Sequence, residues 1–411
     1  MTGFGYNING FGIVVAVGDV AQSFPSGNSI GWFEGTGLVS YSYRTDFDTH
    51  PTDSTKAVAV SRLSTSGEAT IITRDGITLS SGAGVEFDDE QAYILNVVCG
   101  KVSGQFLVYF KPATWDASIS EWVFGYPTAR VGTIDGTTCT FGTAAVVESS
   151  SRFYLFAAAD PNTDNKYIVG YKNSSDYLEC KVATVDGTDV SFGSAVSFTN
   201  TSGPERTDCF FDPSTAGKFT ITSLNSSGDK PTVTQCTYSG TTISGTATYS
   251  NFATADAGKD ARGAYDASNG NIVVACTAKG NPYYPFVKTV TSDGTLGTKV
   301  VVASIEMVGS GNRNIDIDGD PDNTTRFVIT YNTNADPDSS YARSIITSGT
   351  GASSTCTVDT AVELSSDGSG YHDASVCYWH GEAGKCLVSY HDADEDDEER
   401  AVVGQGATPP P

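Results

Sequence analysis

The fold is decided by the stretch Gly104-Gln105-Phe106-Leu107-Val108-Tyr109, a nearly continuous apolar segment that begins at a glycine. Such a pattern is typical of a strand that is buried on both faces. Similar stretches recur along the chain, and their first apolar residues lie at positions 38, 106, 167, 219, 272, 327 and 386. Seven copies of one structural unit are therefore expected.

Turn sequences on both sides of the recurrent strand indicate how each unit is organised. Phe210-Phe211-Asp212-Pro213 precedes one copy and reads as a strand followed by a hairpin turn. A second turn, Asp-Gly or Ser-Gly, follows the first six copies, for example at Asp135-Gly136 and Asp186-Gly187. Each unit then holds four antiparallel strands, which is one blade of a β-propeller.

The two ends of the chain predict how the propeller closes. The last repeat runs out before its fourth strand, whereas Phe11-Gly12-Ile13-Val14-Val15-Ala16-Val17 is a strand without a preceding blade. We therefore expect an all-β, seven-bladed propeller of four-stranded antiparallel blades, with residues 11–17 completing the last blade. An open β-solenoid or a string of small sandwiches is the rival architecture.

This interpretation divides the chain into an N-terminal extension at 1–10, a propeller at 11–406 and a C-terminal tail at 407–411. The seven blades are expected at approximately 29–80, 85–149, 150–200, 204–253, 259–304, 312–366, and 371–406 plus 11–17.

Charge and cysteine content restrict the partners. The chain has 24 basic and 48 acidic residues and a formal net charge of −24, which argues against nucleic acid and anionic membranes as partners. Its nine cysteines show no CxxC spacing and fall mostly in strand-like segments, so they are expected to be buried and reduced. The N-terminus lacks the features of a signal peptide, and we expect no membrane insertion.

Three groups of residues are candidates for a site. Asp316, Asp318, Asp320 and Asp322 alternate along the chain and could offer oxygen ligands to calcium, although the same stretch also reads as an acidic turn without a metal. Trp115 and Trp122 lie on a polar insertion and are typical of carbohydrate or protein contacts, or of a cap on the blade's own edge. His50 lies on the other long insertion and is a third candidate contact.

Two related stretches carry a family resemblance. Val131-Gly132-Thr133-Ile134-Asp135-Gly136 and Val182-Ala183-Thr184-Val185-Asp186-Gly187 each lead into a Phe-Gly pair. They resemble repeats in virion and tail-fibre-like proteins of tailed phages, especially marine ones. The resemblance implies a non-enzymatic structural protein, assembled in a host cytoplasm and located on a virion, with other virion proteins or a host-surface glycan or protein as partners and without a required cofactor.

Two further functions stay open at this point. One is a carbohydrate-binding, lectin-like propeller, and the other is a polysaccharide-degrading enzyme. The sequence contains no catalytic motif that selects the enzyme, since its acidic residues are too numerous to single out one catalytic pair.

Overall fold

The computed structural model describes most of the chain. The described residues are 30–32, 36–40, 44–63, 65–76, 78–116, 118, 121–150, 152–175, 177–202, 207–224, 230–249, 252, 258–266, 268–278, 284–304, 315–322, 325–333, 339–365, 375–382, 384–392 and 398–406. The predicted extension at 1–10, the predicted strand at 11–17 and the predicted tail at 407–411 lie outside these residues.

Antiparallel sheets account for nearly all of the described structure, with one short 3-10 turn at Gly351–Ser353. Sheet 1 comprises Arg44–Thr49, Lys56–Arg62, Gly67–Asp75, Thr78–Ser81 and Val85–Asp88. Sheet 2 comprises Gln91–Cys99, Gln105–Asp116, Glu121–Phe124, Thr128–Asp135, Thr138–Phe141 and Ala145–Val146. Sheet 3 comprises Phe153–Ala159, Lys166–Lys172, Tyr177–Asp186, Asp189–Phe192 and Val196–Ser202.

The remaining sheets follow in chain order. Sheet 4 comprises Asp208–Phe211, Lys218–Leu224, Pro231–Ser239 and Thr242–Tyr249. Sheet 5 comprises Gly258–Asp266, Asn271–Ala278, Pro285–Val290 and Val300–Val301. Sheet 6 comprises Ile315–Gly319, Arg326–Thr333, Ser339–Ser348, Thr355–Val358 and Val362–Ser365. Sheet 7 comprises Ser375–Tyr378, Lys385–Asp392 and Glu398–Gly406, together with Ile30–Trp32 and Thr36–Ser40.

The structure confirms a propeller of four-stranded antiparallel blades. Six blades are each formed by one continuous stretch of chain, whereas sheet 7 is composite and combines the two ends of the described chain. Ile30–Trp32 and Thr36–Ser40 both pair antiparallel with Glu398–Gly406. The strand Ser375–Tyr378 of sheet 7 contacts both Ile315–Gly319 and Arg44–Thr49, so the first strands form a closed ring.

The recurrent apolar stretch forms the second strand in sheets 2 to 7, as predicted. The first predicted copy, which begins at Leu38, is wrong because Thr36–Ser40 pairs with the last strand of sheet 7. The second strand of sheet 1 is instead Lys56–Arg62, and residues 57–61 in its centre are buried.

The hydrophobic core lies between neighbouring sheets rather than inside any one of them. Val60 and Ile71 of sheet 1 pack with Phe106 and Val108 of sheet 2 in one such cluster. The seam between sheets 7 and 1 has its own cluster, which includes Trp379. All nine cysteines are buried and free, as predicted. Among the described residues, no helix has the length and hydrophobicity needed to cross a membrane.

Close approach between the outer edges of neighbouring blades explains the repeated Phe-Gly pair. Gly142 directly follows the strand Thr138–Phe141 of sheet 2. A Cβ atom on Gly142 would lie 2.0 Å from the carbonyl oxygen of Thr188 in sheet 3, and one on Gly193 would lie 2.1 Å from that of Thr241 in sheet 4. Glycine is therefore required where one blade rests on the next blade's outer turn.

Replacing Gly142 with alanine is expected to lower the free energy of unfolding by about 1–3 kcal/mol, because backbone must shift to admit the methyl group. Urea denaturation measures the change. The control is Thr143→Ala at the neighbouring exposed position, where about 0.5 kcal/mol or less is expected. Equal stability of the two variants would show that the blades do not approach this closely.

Candidate binding site: the tryptophan hairpin

The second strand of sheet 2 extends beyond the body of its blade and forms a hairpin there. Gln105–Asp116 has 12 residues, whereas the equivalent strand Lys166–Lys172 of sheet 3 has 7. The extension pairs antiparallel with Glu121–Phe124, with Trp122 opposite Trp115 and Phe124 opposite Ala113. We call residues 113–124 the tryptophan hairpin. Because neighbouring strands are antiparallel, it lies on the propeller face opposite to the first turns of the blades.

Trp115 and Trp122 form an exposed aromatic pair on one side of this hairpin. Directly opposed residues of antiparallel strands point to the same face, so both indole rings lie on the same side of the ribbon. Their ring centroids are 5.4 Å apart and the ring planes are inclined at 67°. Trp115 is 49% exposed and Trp122 is 37% exposed. The rings therefore stabilise each other and still offer surface to a ligand.

Exposed hydrophobic side chains are concentrated here. Six large hydrophobic residues are exposed in the described part of the chain, and four of them lie between residues 115 and 126: Trp115, Trp122, Val123 and Tyr126. Val123 is opposite Thr114 and so points to the other side of the ribbon from the two tryptophans. A local concentration of exposed apolar surface marks a site of interaction.

A row of aromatic rings and cations fixes the base of the hairpin. The Phe124 ring packs edge-on against Tyr93, with 4.8 Å between the centroids. The Lys111 ammonium lies 4.7 Å from the centroid of Phe124, and the Arg62 guanidinium lies 4.5 Å from that of Tyr93. Lys111 is fully buried, and this burial lowers its pKa to about 8. These contacts attach the hairpin to sheet 1 as well as to its own sheet.

Three of the four aspartates predicted as calcium ligands bind backbone amides of the next blade. Asp316 and Asp318 accept hydrogen bonds from the N–H groups of Val376 (3.0 Å) and Tyr378 (2.7 Å) in sheet 7. Asp320 accepts one from the N–H of Gly384 at 2.7 Å, and Asp322 is exposed.

No group of three or more His, Cys, Asp or Glu side chains in the described ranges could hold a metal ion. Asp316, Asp318 and Asp320 thus bind amides of the next blade, and the structure does not bring the four aspartates to a common centre.

His50 is also engaged between two blades. Its side chain is fully buried, and its Nε2 accepts a hydrogen bond of 2.8 Å from the N–H of Gly104 in sheet 2. Burial lowers the pKa of His50, which agrees with an unprotonated Nε2. His50 is therefore not exposed on the surface, where a ligand or partner could contact it. Of the predicted contacts, only Trp115 and Trp122 are exposed and close together.

The sequence analysis missed that Asp46 and Asp48 of sheet 1 repeat the arrangement of Asp316 and Asp318. Asp46 accepts a hydrogen bond from the N–H of Val97 at 2.9 Å, and Asp48 accepts one from that of Cys99 at 2.7 Å. We call Asp46, Asp48, Asp316 and Asp318 the inter-sheet carboxylates. The signal was present in the matching alternation of Asp46-Phe47-Asp48-Thr49-His50 and Asp316-Ile317-Asp318-Gly319-Asp320.

Burial raises the pKa of two inter-sheet carboxylates. It raises the pKa of Asp48 to about 7 and that of Asp318 to about 8, although the amide hydrogen bonds act in the opposite direction. The charge of Asp46 adds to the increase at Asp48, and the charges of Asp48 and Asp316 add to that at Asp318. Burial between neighbouring blades therefore favours the neutral form of Asp48 and Asp318.

The whole structure is similar to solved propellers of low sequence identity. The BP39L lectin from Burkholderia pseudomallei matches with a TM-score of 0.64 and 10% identity, over 90% of this chain and 99% of the lectin. AofleA from Arthrobotrys oligospora matches with a TM-score of 0.50 and 11% identity, over 84% of this chain and 93% of AofleA. No family model and no curated protein matches the sequence. At these identities the likeness shows the fold alone.

Proposed function

We propose that the protein is a non-enzymatic carbohydrate-binding propeller in which the tryptophan hairpin holds the sugar. The observation that carries this proposal is the exposed pair of Trp115 and Trp122 on one side of a fixed ribbon. A pyranose ring has an apolar face of C–H groups that packs on an indole ring, and the rest of the sugar remains in water. The likeness to a lectin of the same fold supports this choice.

The side of the hairpin that carries the tryptophans is suited to binding rather than to catalysis. Its exposed groups are aromatic, whereas the acidic residues Asp116 and Glu121 are opposite each other and point to the other side of the ribbon. A glycosidase needs two carboxyl groups on either side of the scissile bond. We therefore expect the protein to release no reducing sugar from the polysaccharides that it binds.

A glycan array tests the proposal. The protein is expected to bind at least one class of glycan, and the double variant Trp115→Ala, Trp122→Ala is expected to bind it at least about tenfold more weakly, or about 1.4 kcal/mol. The matched control is Val123→Ala, which removes an equally exposed apolar side chain from the other side of the ribbon and should keep full affinity. Full binding by the double variant would exclude the hairpin as the site.

As a second candidate, we propose that this propeller is a structural protein of a phage particle, where sugar binding would serve contact with the host surface. The support is the resemblance of residues 131–144 and 182–195 to virion and tail-fibre-like repeats. Co-sedimentation with a major capsid protein at fixed stoichiometry is the expected result. Recovery of the chain only outside the particle fraction would contradict this candidate and leave the sugar-binding proposal in place.

A further inference from the structure

We infer that the tryptophan hairpin selects a curved glycan chain over a flat one, an inference that rests on the proposed sugar-binding function. It follows from the angle of 67° between the planes of Trp115 and Trp122. Both rings are exposed, so each offers a surface on which one sugar ring can pack. The two surfaces are far from coplanar.

The linkage of a glycan decides whether it can use both surfaces. In a β-1,4-linked chain of glucose, the sugar rings lie nearly in one plane along an extended ribbon. Such a chain can pack on one tryptophan, but its next sugar then points away from the other. An α-1,4 linkage turns successive rings relative to each other, so that the chain curves. A curved chain can therefore pack one sugar on Trp115 and a neighbouring sugar on Trp122.

The contact between the two rings and the packing at the base of the hairpin limit the angle between the rings. The two tryptophans are directly opposed across the hairpin and contact each other at 5.4 Å between centroids. On the same side of the ribbon, Phe124 is packed against Tyr93 and lies under the Lys111 ammonium. A platform fixed in this way loses little conformational freedom on binding, and it discriminates between ligand shapes for the same reason.

The charge around the hairpin guides the choice of probe. Asp116 and Glu121 are next to the two tryptophans along the strands but point to the other side of the ribbon, and the chain carries a formal net charge of −24. Because this net charge disfavours the approach of anionic glycans, uncharged chains are the appropriate probes.

The test compares pairs of uncharged oligosaccharides that share one sugar and differ in linkage. Maltohexaose and cellohexaose form one pair, and hexamers of α-1,6-linked and β-1,4-linked mannose form the other. Isothermal titration calorimetry is expected to show at least about tenfold tighter binding of the curved member in one pair or both. In Trp115→Ala this preference is expected to disappear, because a single remaining ring serves flat and curved chains equally; Val123→Ala should keep it.

The outcomes separate this inference from the proposal on which it depends. No preference, or a preference for the flat chain, in both pairs overturns the inference, and failure to bind either member of a pair counts as no preference. If another glycan of the array still binds through the tryptophans, the proposed function stands. Absence of binding to every glycan of the array overturns the proposed function itself.

Discussion

The variant Asp318→Asn is expected to gain stability relative to the wild-type protein as the pH rises from about 5 to about 9. An unfolded aspartate has a pKa near 3.8, whereas burial raises the pKa of Asp318 to about 8 in the folded protein. The folded state therefore holds this proton more tightly. The resulting stabilisation is complete below about pH 4 and is lost as the pH rises to about 8.

Asparagine keeps an oxygen that accepts the hydrogen bond from the N–H of Tyr378 and cannot ionise, but it loses the acceptor for the N–H of Gly319, a cost that is the same at both pH values. From about pH 5 to about pH 9 the wild type should lose on the order of 2–4 kcal/mol relative to the variant. Asp48→Asn should behave similarly, with a smaller change because the pKa of Asp48 is about 7. The measurement is the urea midpoint at both pH values.

The control is Asp212→Asn. Asp212 contacts the Lys218 ammonium at 3.0 Å, and its pKa is lowered despite burial by hydrogen bonds from Ser214 and by Lys218. The stabilisation by ionised Asp212 is therefore present above its unfolded pKa and is lost only in acid. Asp212→Asn should be less stable than the wild type at both pH values. If Asp318→Asn shows no gain over the wild type between the two pH values, Asp318 is not held neutral between the blades.

The second large effect is expected at the seam where the ring closes. The variant Arg74→Ala should lower the free energy of unfolding by about 3 kcal/mol. The buried guanidinium of Arg74 donates hydrogen bonds to the carbonyl oxygens of Ser54 and Gly76, forms an ion pair of 3.1 Å with Glu382, and lies 5.1 Å from the ring centroid of Trp379. Removing it leaves buried carbonyls unpaired and opens space beside Trp379.

The matched control for Arg74 is an exposed ion pair. Lys101 lies 3.4 Å from Asp164, and the two side chains are 42% and 66% exposed. Lys101→Ala should therefore cost about 0.5 kcal/mol or less. Equal costs for the two variants in urea denaturation would show that Arg74 does not hold sheets 7 and 1 together.

The sequence predicted the propeller and six of its second strands because both depend on local patterns. Its error at sheet 1 is instructive. The interval from position 38 to position 106 is 68 residues, the longest between copies, and Lys56–Arg62 lies within it. Leu38 lies in a strand that pairs with Glu398–Gly406, and no local pattern reveals a partner so distant in sequence.

The site was predictable in its residues but not in its geometry. The two tryptophans could be chosen from an insertion in a β-fold, whereas their placement on one side depends on the pairing of Trp115 with Trp122. The role of the inter-sheet carboxylates was not predictable, because each one binds an amide in another blade. Asp316 and Val376 are 60 residues apart, and Asp46 and Val97 are 51 apart. Alternating aspartates look alike in sequence whether they bind a cation or amides.

The central claim is that the tryptophan hairpin holds a sugar, and oxidative footprinting tests it most directly. N-bromosuccinimide oxidises exposed indole rings, and peptide mass spectrometry reports each tryptophan separately. Trp115 and Trp122 should react readily without ligand, whereas the fully buried Trp379 should not. With a saturating amount of a glycan that binds the protein, we expect the oxidation of Trp115 and Trp122 to be strongly reduced. Undiminished oxidation of both while the glycan is bound would contradict the account.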